Sequence, residues 1–102
     1  MYKVIIEDPA ISDLRGIHLY ISETLKEPIA AQRIYLTIKS KIKTLDKNPL
    51  RCKVVDDEPY RSKGLRPLYI GNYTAFFVAD ESNKRVHVLR ILHNRRQWQN
   101  FL

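Results

Sequence analysis

Three features of the sequence predict an α+β fold, in which a helical hairpin lies on one face of a mainly antiparallel four-stranded sheet. A short alternating strand opens the chain. Two amphipathic helical stretches follow with a connection too short to separate them. Three β-rich runs close it, joined by turn-forming residues. The order β-α-α-β-β-β groups helices apart from most strands, which is the signature of a layered α+β domain rather than of βαβ repeats. At 102 residues the chain fits a single domain, residues 1–102, with one modest core and no linker or internal repeat.

The run "YKVIIE" (2–7) alternates Tyr2, Val4 and Ile6 on one side, as a half-buried strand does. In "EDPA", Asp8 is suited to cap free amide groups and Pro9 to occupy the first helical position. Ile11, Leu14, Ile17, Ile21 and Leu25 then recur in steps of three and four, giving a helix over about 9–25 with one apolar stripe. Pro28 disfavours helix at Glu27 and breaks the pattern. A second helix, about 29–46, carries Ile34, Ile38, Ile42 and Leu45, and the tight join makes the two an αα-hairpin. Lys39, Lys41, Lys43 and Lys47 on its polar side read first as a solvated face.

Residues 49–64, "PLRCKVVDDEPYRSKG", have no period and contain two Pro and a Gly, an irregular connector long enough to suspect a role. Its "DDE" is a charge counterweight, an interface feature or a carboxylate site. Strands follow at 65–70, 73–79 and 85–92, joined by "GN" and "DESNK" turns. Pro67 donates no amide hydrogen, so its strand is expected at an edge or bulged. The last strand, with Val86, Val88, Leu89, Ile91 and Leu92, reads as central. A short final helix over about 95–102 is expected, and much of the sheet face away from the helices is expected to stay open.

Composition narrows the functional classes. Apolar residues form 44% of the chain, which argues against a disordered tail. Cys52 is the single cysteine, so no internal disulfide exists, and His18, His87 and His93 show no ligand spacing with it. Neither a metal nor a cofactor is expected. No run approaches the roughly 18 apolar residues of a membrane span, and the opening strand does not resemble a secretion signal; a soluble cytoplasmic protein without membrane contact is the expectation. The net charge of +7 is uneven, with eight basic and two acidic residues between 61 and 102. That field favours nucleic acid or an acidic protein partner, with simple solubility as the plain alternative.

Gly16, Gly64 and Gly71 form no phosphate loop, and no serine or cysteine has the setting of a covalent nucleophile. What remains is a basic set. Arg61, Lys63 and Arg66 lie just before and within the second strand, and Arg90, His93, Arg95 and Arg96 within and after the last. Together with Trp98, the cationic residues are the candidates for binding a target or partner, because guanidinium forks grip phosphate and carboxylate in two-pronged fashion. His93 can shuttle a proton near neutral pH, and Tyr60, Tyr69, Tyr73 and Trp98 can stack on bases. Each has a structural reading beside it. Tyr69 and Tyr73 suit hairpin packing, Arg90 a structural ion pair, His87 a packed strand position, Trp98 an anchor for the chain end, and Arg95 and Arg96 plain solvation.

The chain resembles the RelE/ParE superfamily of type II toxin–antitoxin toxins across nearly its whole length. The resemblance runs through "YKVIIEDPAISDLRGIHLYI", "GLRPLYIGNYTAFFVAD" and "VHVLRILHNRR", three motifs in order at the right spacing. It implies a small basic toxin held in a hetero-oligomer by a cognate antitoxin with an acidic segment, touching operator DNA only through that complex. The target it implies is DNA gyrase for ParE-like members, or messenger RNA on the translating ribosome for RelE-like ones. A RelE-like reading would assign catalysis to Arg66, His93 and Arg95, since RNA cleavage needs a proton acceptor, cations on the phosphate and a leaving-group acid. Phe101 stands where such relatives carry a tyrosine, and Pro67, Leu68 and Tyr69 stand where they carry further cations. The "LHNRR" ending is ParE-like, so gyrase inhibition is the leading expectation. An inactive relative, or a plain nucleic-acid-binding module, is the third.

Overall fold

The computed structural model describes all 102 residues. Strand β1 (Lys3–Ile6) leads into helix α1 (Asp8–Leu19), which ends in a π-helical turn at Tyr20–Thr24. Helix α2 (Pro28–Lys43) and a 3₁₀ turn at Thr44–Asp46 follow, then a 3₁₀ turn at Pro49–Arg51 and an irregular connector. Strands β2 (Arg66–Ile70), β3 (Tyr73–Asp80) and β4 (Arg85–His93) complete the sheet. The spatial order is β1-β4-β3-β2, with β1 parallel to β4 and the other pairs antiparallel. The expected layered α+β architecture is therefore present, and the last strand is central as its apolar content requires. No helix is long and apolar enough to cross a membrane.

Local departures from the expected elements have identifiable causes. The cap position of α1 is Glu7, and Asp8 is its first helical residue; no side chain caps the helix. Glu7 instead points to His87, 3.1 Å away, while Asp8 lends negative charge to the positive helix end. The long first helix is split because the ladder widens at Tyr20, and Lys26, at φ +57°, closes it in a left-handed position. The two-residue turn at Gly71–Asn72 uses a positive φ of 57° at glycine, as its sequence suggests. The final helix reduces to a single 3₁₀ turn, Trp98–Asn100.

Pairing of Ile70 with Tyr73 across that turn fixes which amides face which neighbour. Leu68 and Ile70 face β3, so the missing amide of Pro67 lies on the free outer edge, where it leaves the ladder intact. The irregularity expected near Pro67 lies instead between β3 and β4. Phe76 pairs with Arg90 and Phe77 with Val88, leaving Leu89 as an extra, bulged residue. The bulge shifts the alternation. Val86, Val88 and Ile91 all face the helices and join Ala10, Leu14, Ile38, Ile42, Leu45 and Phe77 in the main core, while Leu89 and Leu92 face the other side.

That other side is not open, contrary to the sequence expectation. Leu65, Phe76 and Leu92 are buried there under Val55 and Tyr60 from the connector and Trp98, Phe101 and Leu102 from the chain end. Trp98 stacks on Phe76 (centroids 5.1 Å, 29°) and meets Tyr60 edge-on at 5.0 Å. The Tyr60 hydroxyl donates to the carbonyl of Gln99 (3.0 Å), and the Gln99 side-chain amide donates to Asp57 (2.8 Å). The "DDE" triplet thus fastens loops. Asp57 holds the tail, Glu58 accepts the Ser62 amide at 3.0 Å, and Asp56 is a distant 3.9 Å from Arg61. Tyr69, expected to pack, is 70% exposed.

The junction of α1 with β4 rests on Asp13. Strand β1 stops at Ile6, and the Glu7 amide takes the carbonyl of Val88 (2.9 Å), so β4 continues past that point without a neighbour. The Asp13 carboxylate fills the gap, accepting from Arg90 Nε (2.7 Å) and Nη2 (2.8 Å) and from the Ile91 amide (2.9 Å). Both side chains are largely buried, and the Asp13 hydrogen bonds push the Arg90 guanidinium further toward its charged form. Removing one partner of such a pair leaves an unmatched buried charge, a loss of about 3 kcal/mol. Asp13→Ala is expected to lower the melting temperature by roughly 12–20 °C at this chain length. In a double-mutant cycle with Arg90→Ala, the double loss should fall well short of the summed single losses. Trp98→Ala, which strips the half-covered stack from Phe76, should cost about 2 kcal/mol and raise proteolysis at the connector, read by limited digestion.

Candidate functional site at the open end of the last strand

Where β4 overhangs β1, a cleft of about 570 Å³ opens between α1 and the sheet. Asp13, Gly16, Ile17 and Tyr20 form its helix side, spaced i, i+3, i+4 and i+7, and Gly16 contributes no side chain to fill it. Tyr73, Ile91, His93 and Arg96 form its sheet side. Tyr73 and His93 are paired across β3 and β4 and meet edge-on at 5.2 Å. Burial holds the Tyr73 phenol proton above its ordinary range, and the neighbouring Tyr20 adds to that. The His93 ring accepts the Arg95 amide at Nδ1 (3.1 Å), which leaves Nε2 to carry the proton of the neutral ring. The Arg96 guanidinium carbon lies over the Phe101 ring, 4.1 Å from its centroid, and the Arg96 amide donates to the carbonyl of His93 (3.0 Å).

Asn94 stabilises this end of the hairpin. Its amide donates to the carbonyl of Asn72 (2.8 Å), its side-chain amide to the carbonyl of Gly71 (3.2 Å), and its Oδ1 accepts from Thr74 Oγ1 (2.6 Å). The cleft is therefore a shaped, aromatic-walled space with cationic groups at one end. It offers binding and orientation. Across the whole chain no cluster of His, Cys, Asp and Glu has the composition of a metal site.

The basic residues named from sequence do not share one surface. His93 and Arg96 meet in the cleft, and Arg95 lies beside them in the turn after β4. Arg90 is committed to Asp13 and also donates to the carbonyl of Phe101 (3.3 Å). Arg66 donates to the carbonyl of Cys52 and ties the connector to β2. Arg66 pairs with Phe77 and His93 with Tyr73, so they lie four residues and two strands apart, about 16 Å at standard strand spacings. Arg61 and Lys63 are exposed in the connector turns, and Trp98 is stacked against the back of the sheet. Asp13 and Tyr20 were not singled out from sequence; their signal is the helical spacing that sets an acid and a tyrosine beside the apolar stripe of α1.

A second concave surface lies between α1 and α2 beside β1. Ile6, Ile11, Leu14, Leu19 and Tyr35 line a groove of about 510 Å³, rimmed by Arg15 and Lys39. Farther along α2, Ile29 is 85% and Leu36 51% exposed, which extends the apolar surface.

Comparison with known proteins gives one family and several structures of similar fold. No curated protein matches the sequence. Among solved structures, a chain of the chromosomal ParDE system from P. aeruginosa is similar at 23% identity and a TM-score of 0.74, covering 91% of this chain and 96% of that one. A chain of the RelBE2 toxin–antitoxin complex from Mycobacterium tuberculosis is similar at 24% identity and 0.67, covering 90% and 96%. A chain of the archaeal RelE–RelB complex from Pyrococcus horikoshii follows at 16% identity and 0.60, covering 93% and 97%. These likenesses carry the fold, and the family rests on the sequence itself. Residues 4–98, from the first strand to the stacked tryptophan, match the family described as the ParE toxin of the type II toxin–antitoxin system parDE, and the chain belongs to that family.

Proposed function

We propose that this toxin-family protein arrests growth by binding and inhibiting DNA gyrase, and that a cognate antitoxin with an acidic amphipathic segment neutralises it. The observation that carries the choice of target is the dispersal of the groups an RNA-cutting site would need. Arg66 and Arg90 are engaged by Cys52 and Asp13, and His93 lies about 16 Å from Arg66 at strand spacings. Phe101 has no proton to give, and the back of the sheet is occupied by the Tyr60–Trp98–Phe76 stack. Metal-independent RNA cleavage needs acid, base and cations converging within hydrogen-bond reach of one phosphate. Inhibition by binding needs only a surface, and the cationic end formed by Arg95 and Arg96 beside His93 supplies one.

Antitoxin capture is supported by the groove between the two helices. Exposed Leu19, Ile29 and Leu36 offer anchor sites for an apolar helix face, and Arg15, Arg33 and Lys39 suit acidic flanks. The similar chains from P. aeruginosa and M. tuberculosis come from toxin–antitoxin systems, in line with a partner of this kind.

Brief induction without antitoxin should arrest growth and produce gyrase-dependent DNA breaks, with no codon-linked cuts when messenger RNA ends are mapped on translating ribosomes. Codon-linked cuts without DNA breaks would sink the gyrase reading. Absence of any growth arrest would favour an inactive relative. Leu36→Glu should weaken binding to the co-expressed antitoxin at least tenfold, measured by calorimetry, while the melting temperature stays within about 2 °C because the site is on the surface.

A further inference from the structure

We infer that the outer face of the C-terminal half of α2, with the turns that follow it, binds the phosphate backbone of double-stranded DNA without reading its sequence. The choice of DNA over RNA rests on the gyrase reading, because gyrase works on duplex DNA. The surface itself is independent of that reading.

Its basis is the distribution of charge along α2. Residues 28–55 hold seven basic side chains and one acid, Asp46, an excess as large as that of residues 61–102. Helix α2 carries Arg33, Lys39, Lys41 and Lys43 and no acid, even in its first turn, where the helix dipole favours one. The same dipole accounts for Lys41 and Lys43 in the last turn, but not for Lys39 a turn earlier or for the missing acids. None of these cations meets a carboxylate, since the three ion pairs of the chain belong to Arg61, His87 and Arg90.

The fold gathers them at one end. Ser40, Lys43 and Thr44 are spaced i, i+3 and i+4 along the exposed side of α2. Lys39 lies on the flank facing the α1 groove, and Lys41 on the other, beside a shallow depression lined by Thr37, Ser40 and Thr44. Arg51 donates to Thr44 Oγ1 (2.8 Å) and to the carbonyl of Asn48 (2.8 Å), which holds its charge against the helix end. The Tyr2 amide donates to the carbonyl of Asp46 (2.7 Å), and Lys84 Nζ lies 4.9 Å from the centre of the Tyr2 ring. A lysine from the β3–β4 turn thus stands at the same end as Lys47. Asp80 accepts from Ser82 and Asn83 within that turn, which leaves Asp46 and Glu81 against five lysines and Arg51.

The character of the face selects the partner. Between Thr37 and Lys47 every exposed side chain is polar, because Ile38, Ile42 and Leu45 are buried in the core. A protein interface draws its affinity from apolar and aromatic anchors, and a helix lying on a membrane needs an apolar face to insert. A single strand stacks its bases on open aromatic rings. Here Tyr2 and Tyr35 are both half-buried and lie beneath Lys84 and Lys39. A duplex presents phosphate to its surroundings, and Lys, Ser and Thr are side chains that contact it.

The test is an anisotropy titration of the full chain, without gyrase or antitoxin, against a labelled DNA duplex of about 20 base pairs at roughly 50 to 200 mM salt. The logarithm of the binding constant is expected to fall with that of the salt concentration at a slope of about −4, as four or five phosphate contacts release counterions. The triple variant Lys41→Gln, Lys43→Gln, Lys47→Gln should bind at least tenfold more weakly at low salt, with a slope shallower by about 3. The pair Arg95→Gln, Arg96→Gln, at the other basic end, should weaken binding less than twofold. No saturation below about 100 µM at low salt, a slope shallower than about −2, or an equal loss in the arginine pair would overturn the proposal. So would tighter binding to the matching single strand, to duplex RNA or to polyglutamate. Glutamine matches lysine as a helix former and the substituted sites are exposed, so the variants should fold, and the wild-type slope is read without them. Failure here is told apart from failure of the gyrase reading, which is measured by DNA breaks.

Discussion

One carboxylate sits where three parts of the structure have to meet. Asp13 receives Nε and Nη2 of Arg90 and the amide of Ile91, so a single residue of α1 takes over the strand edge where the parallel pairing stops, orients the helix over the sheet and neutralises the cation beside the bulge. The alternatives are costly. Without it, the Ile91 amide would face a low-dielectric gap unpaired, and the Arg90 charge would stand largely buried with only the Phe101 carbonyl as partner. Asp13 also lines the cleft between α1 and the sheet.

The sheet is buried on both faces by unequal means. The helix side has a continuous core from Ala10 to Ile91, while the other side is a smaller cluster roofed by the connector and the chain end. Neither roof element is regular, and each holds the other. Tyr60 bonds to the Gln99 carbonyl, Asp57 takes the Gln99 side chain, and Trp98 lies between Tyr60 and Phe76. Aromatic stacking and a few loop-to-loop hydrogen bonds replace the secondary-structure ladder that would otherwise satisfy such segments. The basic C-terminal third is divided accordingly. Arg66 and Arg90 work inside the fold, whereas Arg95 and Arg96 stay at the surface beside His93.

Much of the fold was legible because its local signals agree. Helical periodicity marked both helices, Pro28 marked their junction, Gly71 marked the hairpin, and the apolar content of Val86–Leu92 marked the central strand. Pro67 marked the sheet edge for a reason the register bears out, since its missing amide points outward. The candidate site was legible only in part. His93, Arg95 and Arg96 are contiguous in sequence and stay together in space, but Arg61, Lys63 and Arg66 were grouped with them by charge alone. Charge has no period, so nothing local separates a cation that grips a carbonyl from one that faces solvent.

The sequence by itself determined the element order, the layered class, the family and the excess of positive charge near the C-terminus, because each is written in spacing or composition. Tertiary structure alone decided the bulge at Leu89, the pairing of Asp13 with Arg90 across 77 residues, and the closing of the second sheet face by Trp98. The physical reason is the same in each case. Hydrogen-bond and charge partners are chosen by register and distance in space, and a strand that outruns its neighbour shows no local mark of it in the sequence.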